Sequence, residues 1–133
     1  MTRKQLIAFR ILFILYLAVV LFLCFGNFKD APSSKLEIGG IGLDKVLHFC
    51  MFLPFPVLAY LAFDPFTGTV PQTLLFVGAA FVAGLLFAAG TEWGQANLTT
   101  YRDGDPMDLL ADSLAILTGS ILTAFWDIRK QKK

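Results

Sequence analysis

The amino-acid sequence predicts an all-α polytopic membrane protein, a single domain (residues 1–133) of four transmembrane helices. Of its 133 residues, 56% are hydrophobic and only 16% are charged, whereas soluble domains carry about 25% charged residues. The apolar residues fall into four runs, each close to the roughly 20 residues that cross a bilayer as a helix. The runs lack the alternating polarity of a membrane β-barrel. We therefore expect helices over about residues 6–25, 45–63, 72–95 and 107–126.

The four runs differ in their interruptions. The first contains one charged residue, Arg10; it is longer than a signal-peptide core and no A-x-A site follows, so we interpret it as a retained helix. The second contains Pro54 and Pro56 at its middle, and their missing backbone donors predict a bend. Such a bend either opens the outer half of the bundle or only improves packing. The third run is uncharged over residues 73–90, and the fourth has two aspartates in its first turns.

Basic residues flank the two ends of the chain. An even number of crossings places both ends on one side of the membrane, and lysine and arginine favour the cytoplasmic side. We therefore expect both termini in the cytoplasm. The first loop, residues 27–43, with a turn at Pro32–Ser34, and the third loop, residues 97–106, would then lie outside. The residues that indicate this orientation are Arg3, Lys4, Arg10, Arg129, Lys130, Lys132 and Lys133.

Polar residues gather at the predicted outer end of three helices. Residues three or four apart share a helix face, so the polar residues of each helix project together. On the third helix, Ala80, Gly84 and Ala88 precede Glu92 at steps of four, a small-residue stripe that allows close helix packing. The polar set consists of Asp44, Lys45, His48, Glu92, Gln95, Arg102, Asp105, Asp108 and Asp112.

This polar set has both a structural and a functional interpretation. Aspartates at helix starts are favourable because of the helix dipole, which explains Asp44 and Asp105 taken singly. A charged residue at the bilayer centre costs about 2.5–3.5 kcal/mol, and retained charges in membrane helices commonly mark functional sites. The convergence of three helices on one end favours a functional pocket.

The order and spacing of these residues resemble the VanZ family of small bacterial membrane proteins, over about residues 40–120. The resemblance implies a bacterial cytoplasmic-membrane protein with a role in the cell envelope, and the family's named member is associated with teicoplanin resistance. The chain departs from the family pattern at Asp112, where asparagine is usual, and at Ala115, where glycine is usual. The motifs are Asp44-Lys45-x-x-His48, Glu92-x-x-Gln95 and Arg102-x-x-Asp105-x-x-Asp108, followed by a small-residue helix to Gly119.

Two kinds of function fit the polar set best, and transport or an accessory role in a larger complex is left as a third. In the first, the protein binds a lipid headgroup, a lipid-linked cell-wall precursor or a lipoglycopeptide. Lys45 and Arg102 would hold phosphate or carboxylate, and Gln95 would add directional hydrogen bonds. Asp105, Asp108 and Asp112 would complete the binding site.

In the second, the protein is a membrane-embedded enzyme acting on an outward-facing headgroup. His48, oriented by Asp44, would be the general base or acid, and Glu92 a second proton-transfer group. The carboxylates could instead hold a divalent metal with His48, but no established metal spacing is present, so no metal is predicted.

Other classes of partner have no support in the sequence. There is no G-x-G-x-x-G, P-loop or haem-attachment motif, so no cofactor is predicted. Nothing indicates nucleic-acid binding, because the basic ends are explained by topology. Membrane lipids are the expected partners, and the oligomeric state is left open.

Overall fold

The computed structural model describes residues 1–27 and 37–133, and most of these are helical. The described residues contain four helical spans that are long and apolar enough to cross a membrane. One of these spans, Leu43–Phe63, consists of two consecutive helices. The prediction of a four-helix, all-α membrane architecture is thus confirmed. The turn predicted at Pro32–Ser34 lies outside the described residues. The elements are α1 (Arg3–Phe25), β1 (Glu37–Ile38), β2 (Ile41–Gly42), α2 (Leu43–Phe52), α3 (Phe55–Phe63), α4 (Val70–Leu98) and α5 (Pro106–Gln131).

Contacts between helix ends show how the spans are arranged. The Arg10 guanidinium donates to the Ala62 carbonyl at 3.1 Å, and the Gln131 amide donates to the Thr67 carbonyl at 2.7 Å. The start of α1, the end of α3, the start of α4 and the end of α5 therefore lie together. We call this the basic end, because the lysines and arginines at both ends of the chain lie there. The opposite end is the acidic end.

The small-residue stripe of α4 lies in the core, as predicted. Ala80 and Ala88 are buried, and a Cβ atom on Gly84 would lie 2.9 Å from Cγ2 of Ile116 on α5. Ala115 of α5 is also fully buried. Small side chains thus let α4 and α5 approach closely, which places Glu92, one turn further along α4, against α5.

The predicted bend is a break between α2 and α3, and it serves packing. The Tyr16 hydroxyl of α1 donates to the Met51 carbonyl at 2.7 Å, which satisfies an acceptor freed by the break. A Cβ atom on Gly119 would collide with the Leu53 carbonyl oxygen and lie 3.1 Å from Cδ of Pro56. Gly119 therefore allows α5 to pass directly over the break.

A short hairpin leads into α2 at the acidic end. Residues Ile38 and Ile41 pair across β1 and β2, and Gly39 and Gly40 form the turn with φ values of 60° and 80°. Positive φ at both positions suits glycine and a tight two-residue hairpin. The two isoleucines are exposed, so the hairpin presents apolar side chains beside the start of α2.

Much of the bundle surface is apolar. Ile14, Leu75 and Leu86 are each more than half exposed, and α1 buries only Val20 and Cys24. In a bilayer these side chains would contact lipid tails instead of water. The exposed apolar belt agrees with a multi-pass membrane protein.

Candidate functional site

Three helices bring most of the predicted polar residues together at the acidic end. α2 and α5 supply the larger part, and α4 adds one carboxylate. We call this group the acidic-end cluster; it consists of Asp44, Lys45, His48, Glu92, Asp105, Asp108 and Asp112.

The outer part of the cluster is organised by one ammonium group. Lys45 Nζ lies 2.8 Å from Asp44, 2.6 Å from Asp105 and 2.7 Å from Oδ1 of Asp108. The Asp44 and Asp105 side chains are 51% and 41% exposed, whereas that of Asp108 is 13% exposed. The nearby ammonium also holds the pKa of Asp105 below its usual range. Lys45 thus joins α2 to the start of α5.

The inner part of the cluster contains a buried histidine–aspartate pair. His48 Nδ1 lies 2.9 Å from Oδ1 of Asp112 on α5, and Asp112 is fully buried. The second ring nitrogen, Nε2, faces Oδ2 of Asp108 at 3.6 Å. The expectation that Asp44 orients His48 is therefore wrong. Asp44 lies one turn nearer the helix end and is drawn to the Lys45 ammonium, so Asp112 orients the ring instead.

Glu92 completes the inner part from α4. Its Oε2 accepts a hydrogen bond from the backbone N–H of Asp105 at 3.1 Å, while Oε1 is buried and has no hydrogen-bond partner among the described residues. The loop between α4 and α5 can approach Glu92 because Gly104, which has no side chain, packs directly against α4. A Cβ atom on Gly104 would lie 2.8 Å from Cβ of Ala96 and 3.3 Å from the Glu92 carbonyl oxygen.

Two of the predicted ligand-binding residues contact the end of α1 in the structure. The last carbonyls of a helix have no intrahelical partner and need external donors, and in α1 three side chains from the α4–α5 region supply them. Gln95 and Arg102 were expected to bind an anionic ligand, but the structure places their donors on the end of α1. The hydrogen bonds run from Gln95 to the Cys24 carbonyl at 2.7 Å, from Arg102 to that of Leu23 at 3.1 Å and from Tyr101 to that of Phe25 at 2.6 Å.

A second buried acid, at the basic end, was missed by the sequence analysis. Asp127 is 2% exposed and accepts hydrogen bonds from Tyr60 and Thr73, both at 2.5 Å, and from Gln131 at 3.1 Å. The last helix was predicted to end at residue 126, one residue before Asp127, so this network was not predicted. A helical continuation would have placed Asp127 and Gln131 on one face, four residues apart. Both carboxylate oxygens of Asp127 accept hydrogen bonds, so we interpret this network as a structural one that holds α3, α4 and α5 together.

An apolar groove of about 420 Å³ lies between α1, α3 and α4. Its walls are formed by aromatic and small apolar side chains, among them Phe13, Phe55 and Phe87, and none of its lining residues is titratable. The groove is therefore suited to an apolar chain. The chemistry of the protein lies in the acidic-end cluster.

Comparisons with known proteins add no relative. No family model, curated protein or solved structure matches this chain.

The charge balance limits what the cluster can bind. Its five carboxylates face one lysine and one histidine, so the cluster is acidic even when both are charged. The Lys45 ammonium is already surrounded by three carboxylates. Such a site attracts cations and hydrogen-bond donors, and it repels a free anion.

Proposed function

We propose that this chain is a VanZ-like integral membrane protein of the bacterial cytoplasmic membrane, with a headgroup-binding site in its acidic-end cluster. The ligand would be the polar headgroup of a membrane lipid, a lipid-linked cell-wall precursor or a lipoglycopeptide such as teicoplanin. The observation that carries the proposal is the gradient of exposure, from 51% at Asp44 to 0% at Asp112. A headgroup can reach the outer carboxylates, and buried acids lie beneath them.

The charge of the cluster favours the donor groups of a headgroup. Since Lys45 is occupied by three carboxylates and Arg102 contacts the Leu23 carbonyl, direct capture of phosphate by these two side chains has little support. The amine of a zwitterionic lipid, or the hydroxyls and amines of a cell-wall precursor, would find acceptors at Asp44 and Asp105. Hydrogen bonds between ionised partners are about twice as strong as neutral ones.

The distribution of basic residues supports an outward-facing site. Both clusters of lysine and arginine lie at the basic end, away from the acidic-end cluster. If the basic end is cytoplasmic, as the positive-inside rule predicts, the cluster faces the outer leaflet. Lipid-linked precursors and lipoglycopeptides both act on that side of the membrane.

One apolar feature beside the cluster supports a lipid-bearing ligand. The groove between α1, α3 and α4 extends towards the basic end and is not part of this site. At the acidic end, the exposed Ile38 and Ile41 of the hairpin fit the level of the membrane where headgroups meet acyl chains.

A second candidate function is an enzyme that modifies such a headgroup, and the His48–Asp112 pair favours it. A carboxylate that accepts from Nδ1 fixes the imidazole tautomer and leaves Nε2 as the base. His48 Nε2 and the unpartnered Oε1 of Glu92 would then be two proton-transfer groups at one site. General acid–base catalysis of this kind typically contributes a factor of about 10² to 10⁴ in rate.

The test compares wild type with Glu92→Gln, which keeps the side-chain shape and removes the charge. Each full-length protein is purified in mild detergent and examined by native mass spectrometry for bound lipid, and the envelope lipids and teicoplanin susceptibility of the expressing cells are compared. Asp103→Asn is the matched control, because Asp103 is an exposed acid in the loop between α4 and α5, outside the acidic-end cluster.

Each outcome has a distinct meaning. A lipid that co-purifies with wild type and Asp103→Asn but not with Glu92→Gln supports a binding protein. A headgroup altered only in cells with an intact Glu92 supports the enzyme and names its substrate. Equal lipid binding and equal lipid composition for all three proteins would refute the headgroup site.

A further inference from the structure

We propose that the inner part of the acidic-end cluster is a binding site for one divalent transition-metal ion, held by His48, Glu92 and Asp108. Each residue offers one ligand atom, and these atoms all lie within 4.8 Å of one another. The inference deepens the headgroup-binding proposal and rests on it for its biological role. Metal binding itself is measured without any lipid.

The spacing of the best-defined pair suits a metal ion. Two ligands bound at 2.0–2.2 Å to one tetrahedral ion lie about 3.3–3.6 Å apart. His48 Nε2 and Oδ2 of Asp108 are 3.6 Å apart, too far for a good hydrogen bond. The Glu92 ligand atom also lies within 4.8 Å of the other two.

Glu92 supplies a second, independent observation that points to a ligand. Its side chain is 7% exposed, and Oε1 is buried without a hydrogen-bond partner in the described part of the chain. Leaving a buried polar group unsatisfied costs about 1–3 kcal/mol, and more when it is charged. A cation bound between Glu92 and His48 removes this penalty.

The histidine is already oriented as a metal ligand. Metal-binding histidines usually donate their other ring N–H to a carboxylate or carbonyl, which fixes the ring and raises its basicity. With Asp112 as the acceptor for His48 Nδ1 at 2.9 Å, the other ring nitrogen, Nε2, which faces Asp108, is left to bind the metal. Asp112 would thus be a positioning residue behind the metal ligand.

A neighbouring triangle of carboxylates already holds a cation, the Lys45 ammonium. Asp44, Asp105 and Asp108 also offer oxygens within 4.8 Å of one another, and the Lys45 ammonium contacts all three. Asp108 belongs to both groups: Oδ1 meets Lys45, while Oδ2 faces His48. The outer triangle therefore already holds a side-chain cation, and the inner triangle is the one proposed to bind an external cation.

The ligand set indicates the class of ion. One imidazole nitrogen and two carboxylate oxygens suit Zn²⁺ or Mn²⁺, whereas Mg²⁺ and Ca²⁺ prefer sites made only of oxygen. Such an ion would also offset the acidity of the cluster. The bound ion would then be able to coordinate a headgroup phosphate, whereas Lys45 is already paired with three carboxylates.

The experiment uses the full-length protein in detergent, treated with chelator and then titrated with Mn²⁺ or Zn²⁺. Bound metal is counted by inductively coupled plasma mass spectrometry, and Mn²⁺ is examined by pulsed electron paramagnetic resonance. We expect one ion per chain and a coupling from the His48 nitrogen. Glu92→Gln should weaken binding at least tenfold, while Asp103→Asn should match wild type; circular dichroism verifies helical content in each.

Several results would overturn the metal site. These are binding that does not rise above that of the empty micelle, binding that Glu92→Gln leaves unchanged, or bound Mn²⁺ without nitrogen coupling. If Glu92→Gln does not fold, the wild-type stoichiometry and the nitrogen signal still decide the question. Lipid co-purification without metal binding would refute the metal site and leave the headgroup proposal standing. Metal binding without any bound lipid would refute the headgroup proposal and leave the metal site standing.

Discussion

Replacing Lys45 by methionine removes the cation that joins α2 to the start of α5 while keeping a side chain of similar length. The ammonium contacts Asp44, Asp105 and Asp108 at 2.6–2.8 Å. Without it, three carboxylates remain close together with no lysine between them. We therefore expect Lys45→Met to lower the free energy of unfolding.

The size of the effect follows from the exposure of each pair. The pairs with Asp44 and Asp105 are about half exposed on the acid side, so each is worth about 0.5 kcal/mol. The pair with Asp108, whose side chain is 13% exposed, is screened less by water and is worth about 2 kcal/mol, between the values for exposed and fully buried ion pairs. The expected total is about 3 kcal/mol.

The assay is reversible unfolding of the purified protein in mixed micelles, followed by circular dichroism in the presence of chelator. Lys132→Met is the matched control, because Lys132 is exposed at the basic end, and it should change the free energy by less than about 0.5 kcal/mol. In the double variant Lys45→Met/Asp108→Asn, part of the loss should be recovered, because one unpaired acid has gone. A Lys45→Met protein as stable as wild type would refute the ion-pair reasoning.

Two further substitutions test how α1 and α5 pack around the break between α2 and α3. Gly119→Ala should lower the free energy of unfolding by about 1–3 kcal/mol, because its Cβ would collide with the Leu53 backbone carbonyl. Gly78→Ala, where a Cβ meets nothing within 4 Å, should be neutral or stabilising in the same assay; equal losses would contradict the close approach. Tyr16→Phe removes the donor to the Met51 carbonyl and should cost about 1–2 kcal/mol, and an unchanged unfolding curve would mean that this hydrogen bond contributes nothing.

The helices and the faces they bury were largely predictable from the sequence. Apolar runs of membrane length are explicit in the chain, and the α4 stripe of Ala80, Gly84 and Ala88 predicted a close approach to a neighbouring helix, which the structure identifies as α5. Helical periodicity also placed Glu92 on the same buried face. These features depend on residues near one another in the chain, so local spacing was enough.

The partners of individual side chains were not predictable, because they depend on how each helix is rotated and how deep it lies beside its neighbours. Local spacing suggested Asp44 as the partner of His48, whereas Asp112, 64 residues away, occupies that position. Gln95 looked like a binding residue, but its amide caps the end of α1, 71 residues earlier. Asp127 was missed because α5 continues to Gln131.

The most direct test of the headgroup site is photocrosslinking with lipids that carry the reactive group on the headgroup. The probe position on the protein is Met107, which is exposed on the first turn of α5 beside the cluster, and Phe125, exposed near the basic end, is the control position. We expect crosslinking at Met107 that falls severalfold when Glu92→Gln is added, with no change at Phe125. Crosslinking at Met107 that is insensitive to Glu92→Gln would contradict a headgroup site in the acidic-end cluster.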